Sequence, residues 1–384
     1  MAYFDNAATT FPKPECVYDF MNTFYRECGG NAGRGSHKLS MGAGKMVSET
    51  RKRLKQLLHC ENKQIVFTPS ATIALNMILQ GVLNGKTTQR KNVYISPFEH
   101  NAVTRTLHHY EKNGIINVVT LDIDDNLHYD FSKIKKSFDK DAPSLMVVSH
   151  ASNVIGLISP VEELCLMAKK YGAVTVIDMA QTAGLVDLNV GLETIDFAVF
   201  AGHKTLYGPT GIGGFAMKSD FDLSPVLFGG TGFESANQDM PKDIPQRYEM
   251  GTLNIVGIAG LYASSGWILD EGMDCLWEHE QSKRKELLKI LRSYDFVKII
   301  GDNENNQYVG IVSCIIDGLP SDTAASVFAE KNIAVRSGLQ CAPLAHKTLG
   351  TFPSGIIRFS CSAFTSDADF ADLEQALEWI KGNI

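Results

Sequence analysis

Seven short apolar runs punctuate the N-terminal two-thirds of the chain: "QIVFT", "NVYIS", "INVVTL", "SLMVVS", "AVTVID", "FAVFA" and "GIGGFAM". They are largely continuous rather than alternating, which is how strands covered on both faces read. Between several of them lie stretches of helical period, such as "PVEELCLMAKKYG", where Pro160 marks a start and Gly172 a stop. The pattern predicts an α/β fold with a mostly parallel seven-stranded sheet wrapped by helices. Beyond about residue 254 the texture changes to a long helical stretch, then "VGIVSCIID", "SDTAASVFAEKN", "GIIRFSCSAF" and a terminal helix "DADFADLEQALEWIKG". That reads as a smaller α+β domain. We expect residues 16–265 to form the large domain and residues 1–15 with 266–384 the small one, joined by a helix with a cleft between them. Low-complexity tracts, Pro-rich linkers and internal repeats are missing from the sequence.

Ligands of an open parallel sheet sit beyond the carboxyl ends of its strands, so the residues following each run carry the interest. Here they are "SATIALN", "PFEHNAV", "HASNVIG", "DMAQTAG" and "GHKT". Lys204 in the last is either a desolvated amine, useful as nucleophile or Schiff-base former, or a strand-end lysine reaching for water. Ser70, Ala71 and Thr72 open a helix, and their backbone N–H groups suit either a phosphate or ordinary N-capping. Asp178 ends an apolar run and needs a cationic partner, structural or chemical. Together Thr72, His100, Asn153, Asp178, Gln181, His203 and Lys204 fall at one sheet edge. They supply a phosphate cradle, a ring to stack, a carboxylate for a pyridinium, donors for a phenolate oxygen and an amine for an aldehyde, which are the needs of pyridoxal 5'-phosphate.

Composition narrows the alternatives. The formal net charge of -7 over 384 residues offers no basic field for a nucleic acid. The N-terminus "MAYFDNAATT" lacks the form of an export signal, and no run of about 18 apolar residues marks a membrane span, so a cytoplasmic protein is expected. Eight cysteines without CxxC pairs suggest a reducing compartment, mostly buried thiols and no metal site. Cys341 stands apart in "RSGLQCAPLAH": Gly338 and Pro343 bend the chain, and Arg336 and His346 are near in sequence, where positive charge would favour a thiolate.

The motifs "YFDNAATT", "RSGLQCAPLAH" and "IRFSCSAFTS", spread over nearly the whole chain, resemble those of cysteine desulfurases and selenocysteine lyases in the class V aminotransferase family, on the type I pyridoxal-phosphate fold and nearest its SufS-like branch. The resemblance implies that Lys204 carries the cofactor and Asp178 partners its ring nitrogen. It places Gln181 and Asn153 beside the ring oxygen and His100 over the ring. Ala71, Thr72 and His203 are implied at the phosphate, with Thr252 contributed from the other subunit of a homodimer. Arg358 would grip the substrate carboxylate beside Asn153, and Arg34 and His37 would line the entrance. Lys204, with His100 stacked on the ring, would move protons, and Cys341 would take sulfur from cysteine as a persulfide for an acceptor protein, as in iron–sulfur cluster assembly. Two positions depart from the pattern: Ala201 where a phosphate-binding serine is frequent, and Gln340 where the residue before the cysteine is often histidine. Other reactions on the same cofactor (transamination, racemisation, β-elimination) and a non-catalytic subunit stay open at this point.

Overall fold

The computed structural model describes residues 1–33, 35–84 and 91–383. Its first half runs β1 (Ala2–Tyr3), α1 (Glu15–Cys28), α2 (Lys38–Leu57), β2 (Lys63–Thr68), α3 (Ala71–Leu83), β3 (Lys91–Ile95), α4 (Asn101–Lys112), β4 (Ile116–Thr120), α5 (Phe131–Lys140), β5 (Leu145–Ser149), α6 (Val161–Lys169), β6 (Val174–Asp178), β7 (Phe197–Ala201) and β8 (Gly213–Lys218). The seven apolar runs become β2 to β8, one sheet in the order β2-β8-β7-β6-β5-β3-β4. All share one direction except β8, which is antiparallel to both its neighbours. Its leading glycines make this fit possible: a Cβ on Gly214 would lie 2.3 Å from the Val66 carbonyl oxygen. Strand periodicity sorts the core to two faces. Ile65, Phe67, Met146 and Val148 pack toward α2, α5, α6 and the later helix α7 (Ile255–Glu271), while Val66, Leu145 and Val147 pack toward α3 and α4.

The chain continues through α8 (Met273–Arg292), β9 (Val297–Ile300), β10 (Ile311–Ile316), α9 (Ser321–Glu330), β11 (Ile333–Ala334), β12 (Arg336–Gly338), α10 (Pro343–Thr348), β13 (Ile356–Ser360) and α11 (Asp367–Lys381). A second, antiparallel sheet has the order β12-β13-β10-β9, and Phe328, Phe359 and Leu373 lie in its own core. The boundary expected between residues 265 and 266 falls inside α7, a continuous helix packed on α1 and α2. The first residues straddle both sheets. β1 pairs with β11, and Ser360 N–H donates to the Phe4 carbonyl (2.7 Å), whereas Thr10 N–H already reaches the His203 carbonyl (3.0 Å).

A buried ion pair ties the segment before α7 to the large sheet. Arg51 Nη2 lies 2.5 Å from the Glu249 carboxylate, which also accepts from the Phe67 backbone N–H (2.7 Å). Burial raises the Glu249 pKa, and Arg51 offsets part of that rise. Removing the cation should therefore strand a buried charge: Arg51→Ala is expected to destabilise the protein by about 3 kcal/mol at neutral pH in urea unfolding. The loss should shrink as the pH falls, because the raised pKa of Glu249 lets it take up a proton that removes the unpaired charge. A pH-independent loss would show that only the packing of Arg51 over Phe67 matters.

Candidate active site

Five strand ends meet around one cavity of about 360 Å³. β7 delivers Ala201, His203 and Lys204, β6 Asp178, β5 Ser149 and then Asn153, while β2 leads to the start of α3 and β3 to His100 at the start of α4. The small sheet closes the far side with Arg336, Gln340, Cys341 and Arg358.

Lys204 is set by its backbone. The His203 carbonyl accepts from Thr10 N–H (3.0 Å), Thr9 Oγ1 (3.1 Å) and Lys13 Nζ (2.8 Å), and the Lys204 carbonyl accepts from Thr10 Oγ1 (2.9 Å) and Tyr207 N–H (2.8 Å). Its side chain keeps some surface open to the cavity, yet protein surrounds the amine. Desolvation lowers its pKa to about 8, against the opposing pull of Asp178. Asp178 is buried and its pKa is raised by that burial; Oδ1 accepts from Ala180 N–H (2.9 Å), and among the described residues the other oxygen has no hydrogen-bond partner.

Two histidines stand neutral beside this pair. His100 caps α4, its Nδ1 accepting from Ala102 N–H (3.0 Å), so its proton resides on Nε2. Burial, and then the charges of Lys204, Arg105 and Arg358, lower its pKa to about 4. His203 is lowered to about 4 by burial first and by Lys204 second, and its buried Nδ1 has no hydrogen-bond partner. At α3, Ser70 caps the helix by accepting from Ile73 N–H (3.3 Å), so N-capping does occur, while the N–H groups of Ala71 and Thr72 in the first turn have no protein acceptor among the described residues. Gly213 lets the sheet approach that turn: a Cβ there would sit 3.0 Å from the Ala71 nitrogen.

The cysteine loop is held in an unusual backbone. Gln340 and Cys341 have φ of 41° and 57°, a left-handed conformation that non-glycine residues adopt only when their surroundings hold them there. Gln340 supplies the anchor: its Oε1 meets His346 Nε2 (2.9 Å), its Nε2 donates to the Ile356 carbonyl (3.3 Å), and its own carbonyl accepts from Asn153 Nδ2 (2.7 Å). Asn101 N–H donates to the Cys341 carbonyl (2.7 Å). His346 is fully buried, also bound to Thr351 Oγ1 (2.7 Å), and burial lowers its pKa, so it pins the loop and is no cation for the thiol. The thiol itself is exposed at the cavity that Lys204 and Arg358 also line. Only four of the eight cysteines are buried (60, 165, 314 and 361), fewer than expected, because Cys16 and Cys275 lie exposed on α1 and α8. Burial pushes the thiols of Cys165 and Cys314 up to about 12 and that of Cys361 higher still.

Arg358 is 2% exposed, donating through Nη1 to the Asn153 carbonyl (2.7 Å) and through Nη2 to Asp5 (3.0 Å), with Nε unpartnered. Gln181 Nε2 donates to the Ala7 carbonyl (2.9 Å). Thr252 and His37 do not join the cavity. Thr252 is exposed on the segment before α7, and His37 is the exposed cap of α2, its Nδ1 accepting from Ser40 N–H (3.3 Å). Arg34 lies outside the described residues.

Sequence reading passed over two carboxylates. Asp5, inside "YFDNAATT", bridges Arg336 and Arg358, and two arginines converging on one cleft were the signal for it. Glu99, one residue before His100, is wholly buried among Ser96 Oγ (2.6 Å) and Ser149 N–H (2.6 Å), its pKa raised to about 8 by burial and further by Asp178.

The model of the family "Aminotransferase class-V" matches residues 2–373. The chain belongs to the class-V aminotransferase family. It is 33% identical over 371 residues to a probable cysteine desulfurase of Pyrococcus abyssi (95% of this chain, 90% of that one) and 30% identical over 386 residues to another of Methanothermobacter thermautotrophicus (99% and 94%). The apo structure of a cysteine desulfurase from Thermococcus onnurineus superposes with a TM-score of 0.91 at 30% identity, covering 99% of this chain and 94% of that one.

Class-V enzymes depend on pyridoxal phosphate, and the cavity suits it. A bare helix N-terminus and the orphaned His203 Nδ1 match a phosphate, a free oxygen of Asp178 a protonated ring nitrogen, and a depressed amine an aldehyde. Ala201, also in the cavity wall, has no polar side-chain atom to offer. In the cofactor-free protein, aldehyde capture at Lys204 trapped by borohydride should therefore rise between pH 7 and 9 with a midpoint near 8, because the neutral amine reacts. A midpoint near the 10.5 of ordinary lysine would contradict the burial argument.

Proposed function

We propose that this enzyme is a cysteine desulfurase, converting L-cysteine to L-alanine and carrying the sulfur as a persulfide on Cys341. The observation that carries the reading is the exposed Cys341 thiol, held by the Gln340 anchor at the cavity that Lys204 and Arg358 also line. The names of the relatives from Pyrococcus and Methanothermobacter agree with it.

Bound pyridoxal phosphate supplies the electron sink that weakens the bonds at the substrate Cα. Ala71, Thr72 and His203 would hold its phosphate, Asp178 its ring nitrogen, and Gln181 with Asn153 its ring oxygen. His100, neutral and fixed in one tautomer, lines the same cavity and would stack on the ring. Arg358 receives the substrate carboxylate with the N–H groups that Asp5 and Asn153 leave free, in a planar fork suited to a carboxylate. Lys204, with its amine near neutrality, removes the Cα proton. The Cys341 thiolate then attacks the substrate sulfur. An S–S bond forms, the C–S bond breaks, and its electron pair stays with the carbon fragment that leaves as alanine after protonation. Buried Cys361 is too desolvated for this role.

The reading extends to a cytoplasmic homodimer in which Thr252, exposed and away from its own cavity, serves the neighbour's phosphate. It extends also to transfer of the sulfur to an acceptor, including proteins that build iron–sulfur clusters. It extends as well to selenocysteine as a second substrate of the same site.

Cys341→Ser should keep the yellow cofactor and its spectral response to cysteine while losing sulfur release by roughly 100-fold or more, since a hydroxyl is a poor nucleophile toward sulfur. Turnover retained within about twofold would point instead to β-elimination.

A further inference from the structure

Glu99 takes no part in the chemistry proposed for Lys204 and Cys341. It lies one residue before the cap of α4, wholly buried, and three donors converge on its carboxylate. Ser96 Oγ (2.6 Å) and Ser149 N–H (2.6 Å) donate to Oε1, and Ser149 Oγ (2.9 Å) donates to Oε2. The Ser96 hydroxyl is itself fixed, accepting from Phe98 N–H (3.2 Å). Donors on both oxygens suit an ionised carboxylate, since protonation would turn one oxygen into a donor. Yet among the described residues Glu99 forms no ion pair. A buried charge without a cation is unfavourable, and a glutamine of the same shape would fasten the turn to β5 with a smaller penalty.

Its surroundings add to that penalty. Ser149, which holds both carboxylate oxygens, is the register partner of Asp178 on the adjacent strand, and both line the inner cavity. Burial, and then the charge of Asp178, raise the Glu99 pKa to about 8. The other titratable groups at hand are not cations. Tyr129, from the segment before α5, is raised by its own burial and bonded to Ser159 Oγ (3.0 Å). His150, next after Ser149, is lowered to about 4 by burial and bonded to Thr182 Oγ1 (2.9 Å). A second carboxylate behind Asp178, with no cation of its own, fits a positive charge that arrives with a ligand.

We infer that Glu99 is a positioning residue acting through Asp178: its charge stands behind the first carboxylate and helps to hold the proton on a pyridine nitrogen seated against Asp178. The inference rests on the proposed seat of the ring nitrogen and not on the reaction that follows. Asp178 alone offers one negative charge, part of which Lys204 already offsets. Glu99 adds a second in a place where water screens little. Ser149 joins the two strand ends, so the pair keeps its spacing whether or not a ligand is bound.

The test uses the full-length protein freed of cofactor, at about pH 8.5, above the value that burial gives Glu99. Two probes are titrated in turn: pyridoxal phosphate, and its 1-deaza analogue, which keeps the aldehyde, phenol and phosphate but carries C–H in place of the ring nitrogen. Glu99→Gln is expected to weaken binding of pyridoxal phosphate about tenfold and to leave the analogue within about twofold. With nitrogen-15 in the ring, the resonance of the bound cofactor should move in Glu99→Gln from the protonated toward the unprotonated range. Ser149→Ala keeps the carboxylate but removes one of its donors, and should shift the ratio of the two affinities the same way by about threefold, which tests the inference even if Glu99→Gln does not fold. Equal losses for both probes, or no loss for either, would overturn the inference and leave Glu99 as a staple between the β3 turn and β5. Asp178→Asn should abolish the wild type's preference for pyridoxal phosphate. A wild type that binds both probes equally would instead overturn the seat of the ring nitrogen at Asp178.

Discussion

The Lys204 amine lies just past the end of a buried strand, at the wall of the cavity, and desolvation by the surrounding protein lowers its pKa to about 8 despite the nearby Asp178 carboxylate. Holding two titratable groups in such a place is costly, so the surrounding chain has to fix them without relying on their own attraction. It does so through the backbone. Five hydrogen bonds on the His203 and Lys204 carbonyls come from Thr9, Thr10, Lys13 and Tyr207 rather than from the sheet. The backbone of the lysine turn is then positioned before any ligand arrives, which favours efficient chemistry at a fixed place.

The same N-terminal segment joins the two sheets. Asp5 lies between Arg336 and Arg358, Ser360 N–H holds the Phe4 carbonyl, and four residues later the chain is bonded to the lysine turn. Movement of the small sheet relative to the large one would therefore disturb the arginine pair and the lysine together. The Cys341 loop is coupled to this frame from the other side, through Gln340 to His346 and Asn153. Gln340 spends its side chain on this anchoring, bonded to His346 and the Ile356 carbonyl.

Much of this was legible in the residues. Continuous apolar runs gave β2 to β8, and the polar clusters after them gave Lys204, Asp178, His100 and Thr72, because a parallel sheet gathers strand ends by topology alone. The reversed direction of β8 was hidden, since apolar content does not encode direction, and the domain boundary was blurred because α7 is one helix packed on both sides of the expected cut. His346 was misjudged for a related reason: nearness in sequence to Cys341 suggested a cation, whereas the α10 turn buries its ring between Gln340 and Thr351. Asp5 and Glu99 are long-range partners, and nothing in their local sequence names what they touch.

The central claim is that an exposed thiol, brought by a strained loop to a lysine-based cofactor site, receives the sulfur of the substrate. Peptide mass mapping of the wild-type holoenzyme, quenched seconds after mixing with cysteine, tests it most directly. The account predicts one additional sulfur on the peptide containing Cys341 and none on those containing Cys361, Cys314 or Cys165. Extra sulfur on Cys361, or alanine released with every cysteine left unmodified, would contradict it.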